Sequence, residues 1–317
     1  MGTEEAPILP GTPPGSIREW VCHVTHPHLV PRGWRENPGP TINTVPERPP
    51  EPIIATLGET WSATAQACEG LHSDAWDLPT DCPGWTVRDQ LSHLIGTELG
   101  LLGRAAPAVP DPMPGYVRNP LGQLNEAWIE ERRGVPGIEV LAEFLDVTNR
   151  RLVELEGFPP ERWDVLGWSP AGEAQYREFM QIREFDCWIH GQDIRQAVDR
   201  PGERGGAGER IALERVTMGM AYVVGRKVAP PDGTTVVFDL GGSPAHTVTL
   251  EMNGKRAEGR DDAPISPTVR IVMAPEHFLR LGCGREDPEA ALGSGELAFE
   301  GDQELGTRVV QAMDFVI

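Results

Sequence analysis

Lysine is almost absent from this chain. Of 28 basic residues only Lys227 and Lys255 are lysines, and the rest are arginines. Alongside abundant glycine and proline, that skew reflects the codon bias of a GC-rich genome more than any physical demand. Positive charge as a whole is also scarce: 48 acidic residues leave a formal net charge of −20 over 317 residues. No basic stripe is available to neutralise phosphates, so nucleic acid is disfavoured as a partner, as are anionic membrane surfaces. Long apolar runs are missing too. The longest fall far short of a membrane span, and the N-terminus Met1-Gly2-Thr3-Glu4-Glu5 lacks the basic region and apolar core of a signal peptide. The five cysteines, Cys22, Cys68, Cys82, Cys187 and Cys283, are scattered and contain no C-x-x-C. They read as reduced thiols in a cytoplasm, neither a disulfide framework nor a cysteine-rich zinc site.

What remains is the composition of a globular protein, 39% hydrophobic and 24% charged, long enough for two domains. Residues 1–52 are rich in proline and show no sustained periodicity, which predicts a disordered or extended segment. It contains His23, His26 and His28, a tract that reads as adventitious on so broken a backbone. Amphipathic helices are expected over Ile53–Leu71, Thr86–Arg104, Leu121–Arg133, Ile138–Glu156 and Tyr176–Val198. The second opens on Thr86-Val87-Arg88-Asp89, which has capping-box spacing. Together these predict a four-helix bundle with one extra helix over 53–200. Asp199 to Gly208 is a glycine- and charge-rich break. Beyond it, 209–317 predicts a smaller α+β domain: a helix over Arg210–Arg226, strands over Thr234–Leu240, His246–Met252 and Thr268–Met273, and short helices over Pro275–Leu281 and Gln303–Met313.

The chemistry gathers on the last helix of the bundle. Advancing 100° per residue, Phe179, Ile182, Asp186, Ile189, His190, Asp193 and Ala197 share one stripe that should face the core. Three ionisable groups interrupt it, and burying them unpaired would be costly. A metal ion would resolve the cost. So would a buried Asp–His network with Arg183 and Arg195 as counter-charges, and the helix alone does not choose. His93, on the second helix, could join Asp186 and His190 inside a bundle. Two imidazoles and a carboxylate form an open metal set with a position left for water or substrate.

Cys82-Pro83-Gly84-Trp85-Thr86-Val87-Arg88-Asp89-Gln90-Leu91-Ser92-His93-Leu94, taken with Asp186-x-x-x-His190-x-x-Asp193-Ile194-Arg195, resembles the mycothiol-dependent maleylpyruvate isomerase family, within the wider group of DinB-like metal-binding bundles. The C-terminal Gly301-Asp302-Gln303-Glu304-Leu305-Gly306 is similar to that family's sterol-carrier-like α+β domain. The resemblance runs from about Ile53 to the C-terminus. It implies a fold with an N-terminal DinB-like four-helix bundle and a smaller sterol-carrier-like domain. It also implies His93, Asp186 and His190 as ligands of a divalent metal, Zn²⁺ first, and mycothiol as thiol cosubstrate. Asp186 departs from the family's characterised isomerases, which carry glutamate there, so the particular electrophile is left open. Asp193 then becomes the partner of a ligand histidine or of Arg195. Arg280 or Arg285 could meet an acidic substrate across a domain interface.

The resemblance implies a metal- and thiol-dependent isomerase or transferase acting on a small electrophile, and the scattered reduced cysteines suit a cytoplasmic one. Two alternatives stand beside it. One is a non-catalytic metal-binding bundle serving as sensor or partner module, which thiol turnover would argue against. The other is a metal-dependent hydrolase, which activity without thiol would favour.

Overall fold

The computed structural model of the chain describes residues 51–241 and 246–315. The proline-rich segment and its histidine tract thus fall almost wholly outside the described residues. The chain divides into two compact units, the first ending at Pro201 and the second beginning at Gly202.

The first unit is helical. Its helices are α1 (Pro52–Cys68), α2 (Val87–Leu101), α3 (Pro120–Glu130), α4 (Gly137–Glu156) and α5 (Tyr176–Ala197). α1 packs on α5 and α4, and α2 packs on those same two helices, so four helices close a ring while α3 lies outside against α2. Local chemistry fixes where they begin. Pro52 sits at the first turn of α1, where its missing N–H costs nothing. At α2 the Thr86 side chain accepts from the Asp89 N–H while Asp89 Oδ2 accepts from the Thr86 N–H, completing the capping box. The C-terminal part of α1 is held from α5 and the residues just after it: Arg195 donates to the Ala63 carbonyl, and Arg200 to those of Ala67 and Glu69. These guanidinium groups satisfy and neutralise the C-terminal end of the helix dipole.

The core follows the apolar stripes. Leu57, Trp61 and Cys68 on α1, Leu91, Leu94 and Ile95 on α2, and Val140, Leu141 and Phe144 on α4 are all buried. Leu145, next to Phe144 on α4, is exposed because it lies past the edge of the narrow buried face. Gly96 lets α3 close on α2, since a Cβ there would meet the Trp128 ring at 2.3 Å. α5 is buried on more than one side: Phe179, Ile189, His190 and Asp193 of the expected stripe are inside, as are Met180, Arg183, Glu184 and Cys187, while Ile182, Asp186 and Ala197 of that stripe are half-buried. The stretch between α4 and α5, for which the sequence shows no helical or strand pattern, holds a short hairpin of β1 (Leu166–Ser169) and β2 (Gly172–Gln175).

The second unit is α+β. Helix α6 (Ala207–Tyr222) runs on into a π-helical turn over Val223–Val228. The sheet orders its strands β5-β4-β3-β6-β7. These are β3 (Thr235–Asp239), β4 (Thr247–Asn253), β5 (Arg256–Arg260), β6 (Val269–Val272) and β7 (Ala298–Gly301). β3 and β6 run parallel and the other pairs antiparallel. Helices α7 (Pro275–Gly282), α8 (Pro288–Ser294) and α9 (Gln303–Gln311) complete it, and Phe238 of the sheet meets Phe278 of α7 edge to face at 5.4 Å. The strands β5 and β7 and the helix α8 are additions to the sequence expectation.

Candidate metal centre

Neighbouring helices α2 and α5 bring His93, Asp186 and His190 together. His93 Nε2 lies 3.1 Å from Asp186 Oδ2, and His190 Nε2 lies 3.6 Å from Asp186 Oδ1. One donor atom from each residue falls within 4.8 Å of the others, and among the described residues this is the only such group of three. The imidazoles meet edge to face, 4.7 Å between centroids. Trp85 lies over both, 5.2 Å from His93 and 5.6 Å from His190. His93 and His190 are buried, while the Asp186 side chain is 31% exposed and opens the group on one side.

The Trp85 wall depends on its own turn. Gly84 adopts a left-handed φ of +82°, and a Cβ there would meet the Tyr116 ring at 2.3 Å. Trp85 Nε1 points away from the histidines, 3.4 Å from Glu126 Oε2. Glu126 is fully buried and is held by Tyr116 and Arg133.

Charge inside the group is set by its neighbours. Burial pushes the Asp186 carboxyl up, but the Arg183 guanidinium and then the two imidazoles hold it well below the usual carboxylate range. Burial pulls His93 down, and Asp186 does not fully offset it. His190 is raised, because Asp186 and Asp193 outweigh its burial. The two carboxylates behind that rise face different ring nitrogens of His190, Asp186 Oδ1 at 3.6 Å from Nε2 and Asp193 Oδ2 at 3.3 Å from Nδ1.

The donor set fits a divalent ion. The imidazole nitrogens His93 Nε2 and His190 Nε2 face the two oxygens of the one carboxylate, Oδ2 and Oδ1, and one donor atom of each residue lies within 4.8 Å of the others. Two imidazoles and one carboxylate are also a zinc-type set with a position to spare.

The metal-free alternative has a foothold as well. Arg183 Nη1 donates to Asp186 Oδ2 and, through Nε and Nη2, to Glu98, which also receives Arg151. Arg195 donates to the Ala63 and Arg200 carbonyls. Asp193 Oδ2 lies 3.3 Å from His190 Nδ1, and Gln90 Oε1 is closer at 2.6 Å. Gln90 is absent from the sequence expectations, although it lies three residues before His93 on the same face of α2. Glu184 lies elsewhere, accepting from Thr60 Oγ1 between α1 and α5. Arg280 and Arg285 belong to the second unit, where each donates to a local carbonyl, Arg280 to that of Arg285 and Arg285 to that of Cys283.

Residues 57–195 match the Mycothiol maleylpyruvate isomerase N-terminal domain, and residues 210–308 match the MDMPI C-terminal domain. Two uncharacterised proteins from two strains of Mycobacterium tuberculosis are each 28% identical over 236 residues, covering 73% of this chain and 84% of theirs. A crystal structure of the mycothiol-dependent maleylpyruvate isomerase aligns with a TM-score of 0.51 at 15% identity, covering 81% of this chain and 96% of that one. A mutant of that enzyme aligns with the same TM-score at 14% identity. The structural likeness is one of fold.

Proposed function

The chain belongs to the mycothiol-dependent maleylpyruvate isomerase family, carrying both of its domains in order, and on that premise we propose that it is a metal- and mycothiol-dependent enzyme acting on a small electrophile. The observation that carries this reading is the convergence of His93 Nε2, His190 Nε2 and the Asp186 carboxylate on one partly open point. Those three residues would hold the metal, with Zn²⁺ taken as the ion because two imidazoles and a carboxylate are a zinc donor set. When bound, it would supply the positive charge that keeps a nearby thiol ionised at neutral pH.

The chain's own residues do the rest. Asp193 and Gln90 accept from His190 Nδ1 and so aim its Nε2 at Asp186. Trp85 covers the imidazole faces and keeps bulk water from that side. Asp186 marks the side from which a thiol enters. The mycothiol thiolate would form a C–S bond to an activated alkene, the π electrons moving onto its carbonyl as an enolate. Rotation about the new single bond and expulsion of the thiolate restore the alkene in the other configuration. An electrophile with a leaving group would instead undergo S-transfer. Arg280 and Arg285 are proposed as cations for an acidic substrate.

Metal analysis of the purified protein, followed by turnover of maleylpyruvate and of a halogenated electrophile with and without mycothiol, tests the reading. Turnover should require both zinc and mycothiol and vanish in His93→Ala. Metal-dependent activity without thiol would replace the reading with a hydrolase. Metal binding with no turnover of any electrophile would leave a sensor or partner module. The Arg183–Asp186 pair favours one further reading, a structural ion-pair network without metal, which full-length protein free of metal after zinc loading would establish.

A further inference from the structure

The second imidazole of the centre is addressed by a chain of hydrogen bonds that begins in the turn before α2. The Thr80 and Trp85 backbones pair there, the Thr80 N–H donating to the Trp85 carbonyl at 3.0 Å. Thr80 Oγ1 donates to that same carbonyl at 2.9 Å. A carbonyl can only accept, so the hydroxyl hydrogen is committed and the Thr80 oxygen is left to accept. It receives the Cys82 N–H at 3.3 Å and Gln90 Nε2 at 2.6 Å. With its amide nitrogen directed to Thr80, fully buried Gln90 must present Oε1 to His190 Nδ1, 2.6 Å away. Asp193 Oδ2, another acceptor, lies 3.3 Å from that nitrogen. Nδ1 therefore faces acceptors only.

We infer that Thr80 and Gln90 are positioning residues that lock His190 as the Nδ1–H tautomer, leaving Nε2 as a lone pair aimed at the metal position. The inference rests on the metal reading given above. It also separates the two histidines. Among the described residues, buried His93 Nδ1 meets no hydrogen-bond partner, so the same lock is missing on that side. His190 is then the preorganised ligand, and the turn Thr80–Trp85 both fixes it and supplies the Trp85 wall above it.

Zinc affinity, read by competition with a chromogenic chelator, is the main measurement. Gln90→Leu removes the acceptor and should weaken Zn²⁺ binding by about 10–100-fold, the usual effect of losing an outer-shell partner of a ligand histidine. Thr80→Val, acting one hydrogen bond further out, should weaken it by a smaller factor. Thr80→Ser keeps the hydroxyl and should restore wild-type affinity, an outcome that a purely steric role for Thr80 does not predict. Should Gln90→Leu fail to fold, the Thr80→Val and Thr80→Ser pair decides the matter. Separately, ¹⁵N–¹H correlation of the metal-free wild-type protein, at a pH alkaline enough to leave the imidazole neutral, should show His190 protonated at Nδ1. A folded Gln90→Leu protein with wild-type zinc affinity would overturn the inference, as would an Nε2–H signature for His190. If the wild-type protein binds no zinc, the metal reading fails. The ¹⁵N signature then still judges the lock by itself.

Discussion

Arg183 donates to the same Asp186 oxygen, Oδ2, that His93 Nε2 faces at 3.1 Å. One carboxylate thus serves a guanidinium on its own helix and an imidazole from α2. Behind Arg183 stands Glu98, fully buried between two guanidinium groups, those of Arg151 and Arg183. Each buried charge here is tolerable only while its partners stay, because desolvation has already been incurred.

Arg183→Met should therefore destabilise the metal-free protein by about 3 kcal/mol, the lower end of the range for breaking a buried ion pair, since Arg151 still covers Glu98. Urea unfolding of chelator-treated protein measures it. An unchanged midpoint would mean that Glu98 and Asp186 are satisfied without Arg183.

The pH dependence of the metal-free protein should carry the sign of His190. Its folded value is raised by Asp186 and Asp193, so its contribution to stability is fully present below the unfolded value. That contribution is lost as pH rises through the folded one. Asp186 is lowered, so its contribution is lost only on strong acidification. Urea midpoints should accordingly fall on the alkaline side, above about pH 6.5, and the fall should flatten in His190→Gln. Zinc should restore stability there, because the ion replaces the lost proton. An alkaline loss that His190→Gln leaves intact would assign the effect to another group.

Glu184 predicts a second pH effect with a different remedy. Burial lifts its carboxyl from 4.5 to about 7, and Thr60 gives it one hydrogen bond while Oε2 has none. An acid raised on folding costs stability as it ionises, so the penalty grows above the unfolded value and saturates above pH 7. The full shift corresponds to roughly 3 kcal/mol. Glu184→Gln keeps the shape and should raise stability by up to that amount at pH 8, with little effect at pH 4. A stability difference between Glu184→Gln and the wild type that is the same at pH 4 and pH 8 would mean that the Glu184 carboxyl ionises alike in the folded and unfolded protein.

Much of the first unit is legible from sequence because its helices announce themselves twice, by apolar period and by end chemistry such as the Thr86–Asp89 box. The hairpin of β1 and β2 is hidden because four-residue strands are too short to show alternation. β5 is hidden because only Ala257 on it is buried, leaving a polar run with no period. At the site, ionisable residues on an apolar stripe draw attention, so His93, Asp186, His190 and Asp193 stand out. Gln90 and Thr80 do not. A neutral polar residue on a helix or in a turn has many ordinary uses, and only the three-dimensional neighbourhood shows that one hydrogen bond passes to the next.

Asp186 decides between the two accounts of the centre. If it is a ligand, Asp186→Asn removes its charge while keeping its shape, and zinc affinity should fall by more than the roughly 10–100-fold typical of an outer partner. If it serves only the Arg183–His93–His190 network, the same change should cost about 1.5–3 kcal/mol through weakened charge-assisted hydrogen bonds and leave metal content alone. Asp186→Glu separates them further. The partly exposed side chain has room on one side, so a ligand set should accept the extra methylene. A network that already fits Arg183 and His93 on one oxygen should be strained by it. Zinc content and urea midpoint are to be measured side by side for both variants. Full zinc in Asp186→Asn together with a destabilised Asp186→Glu would remove the metal from this site and leave the ion-pair network as its whole content.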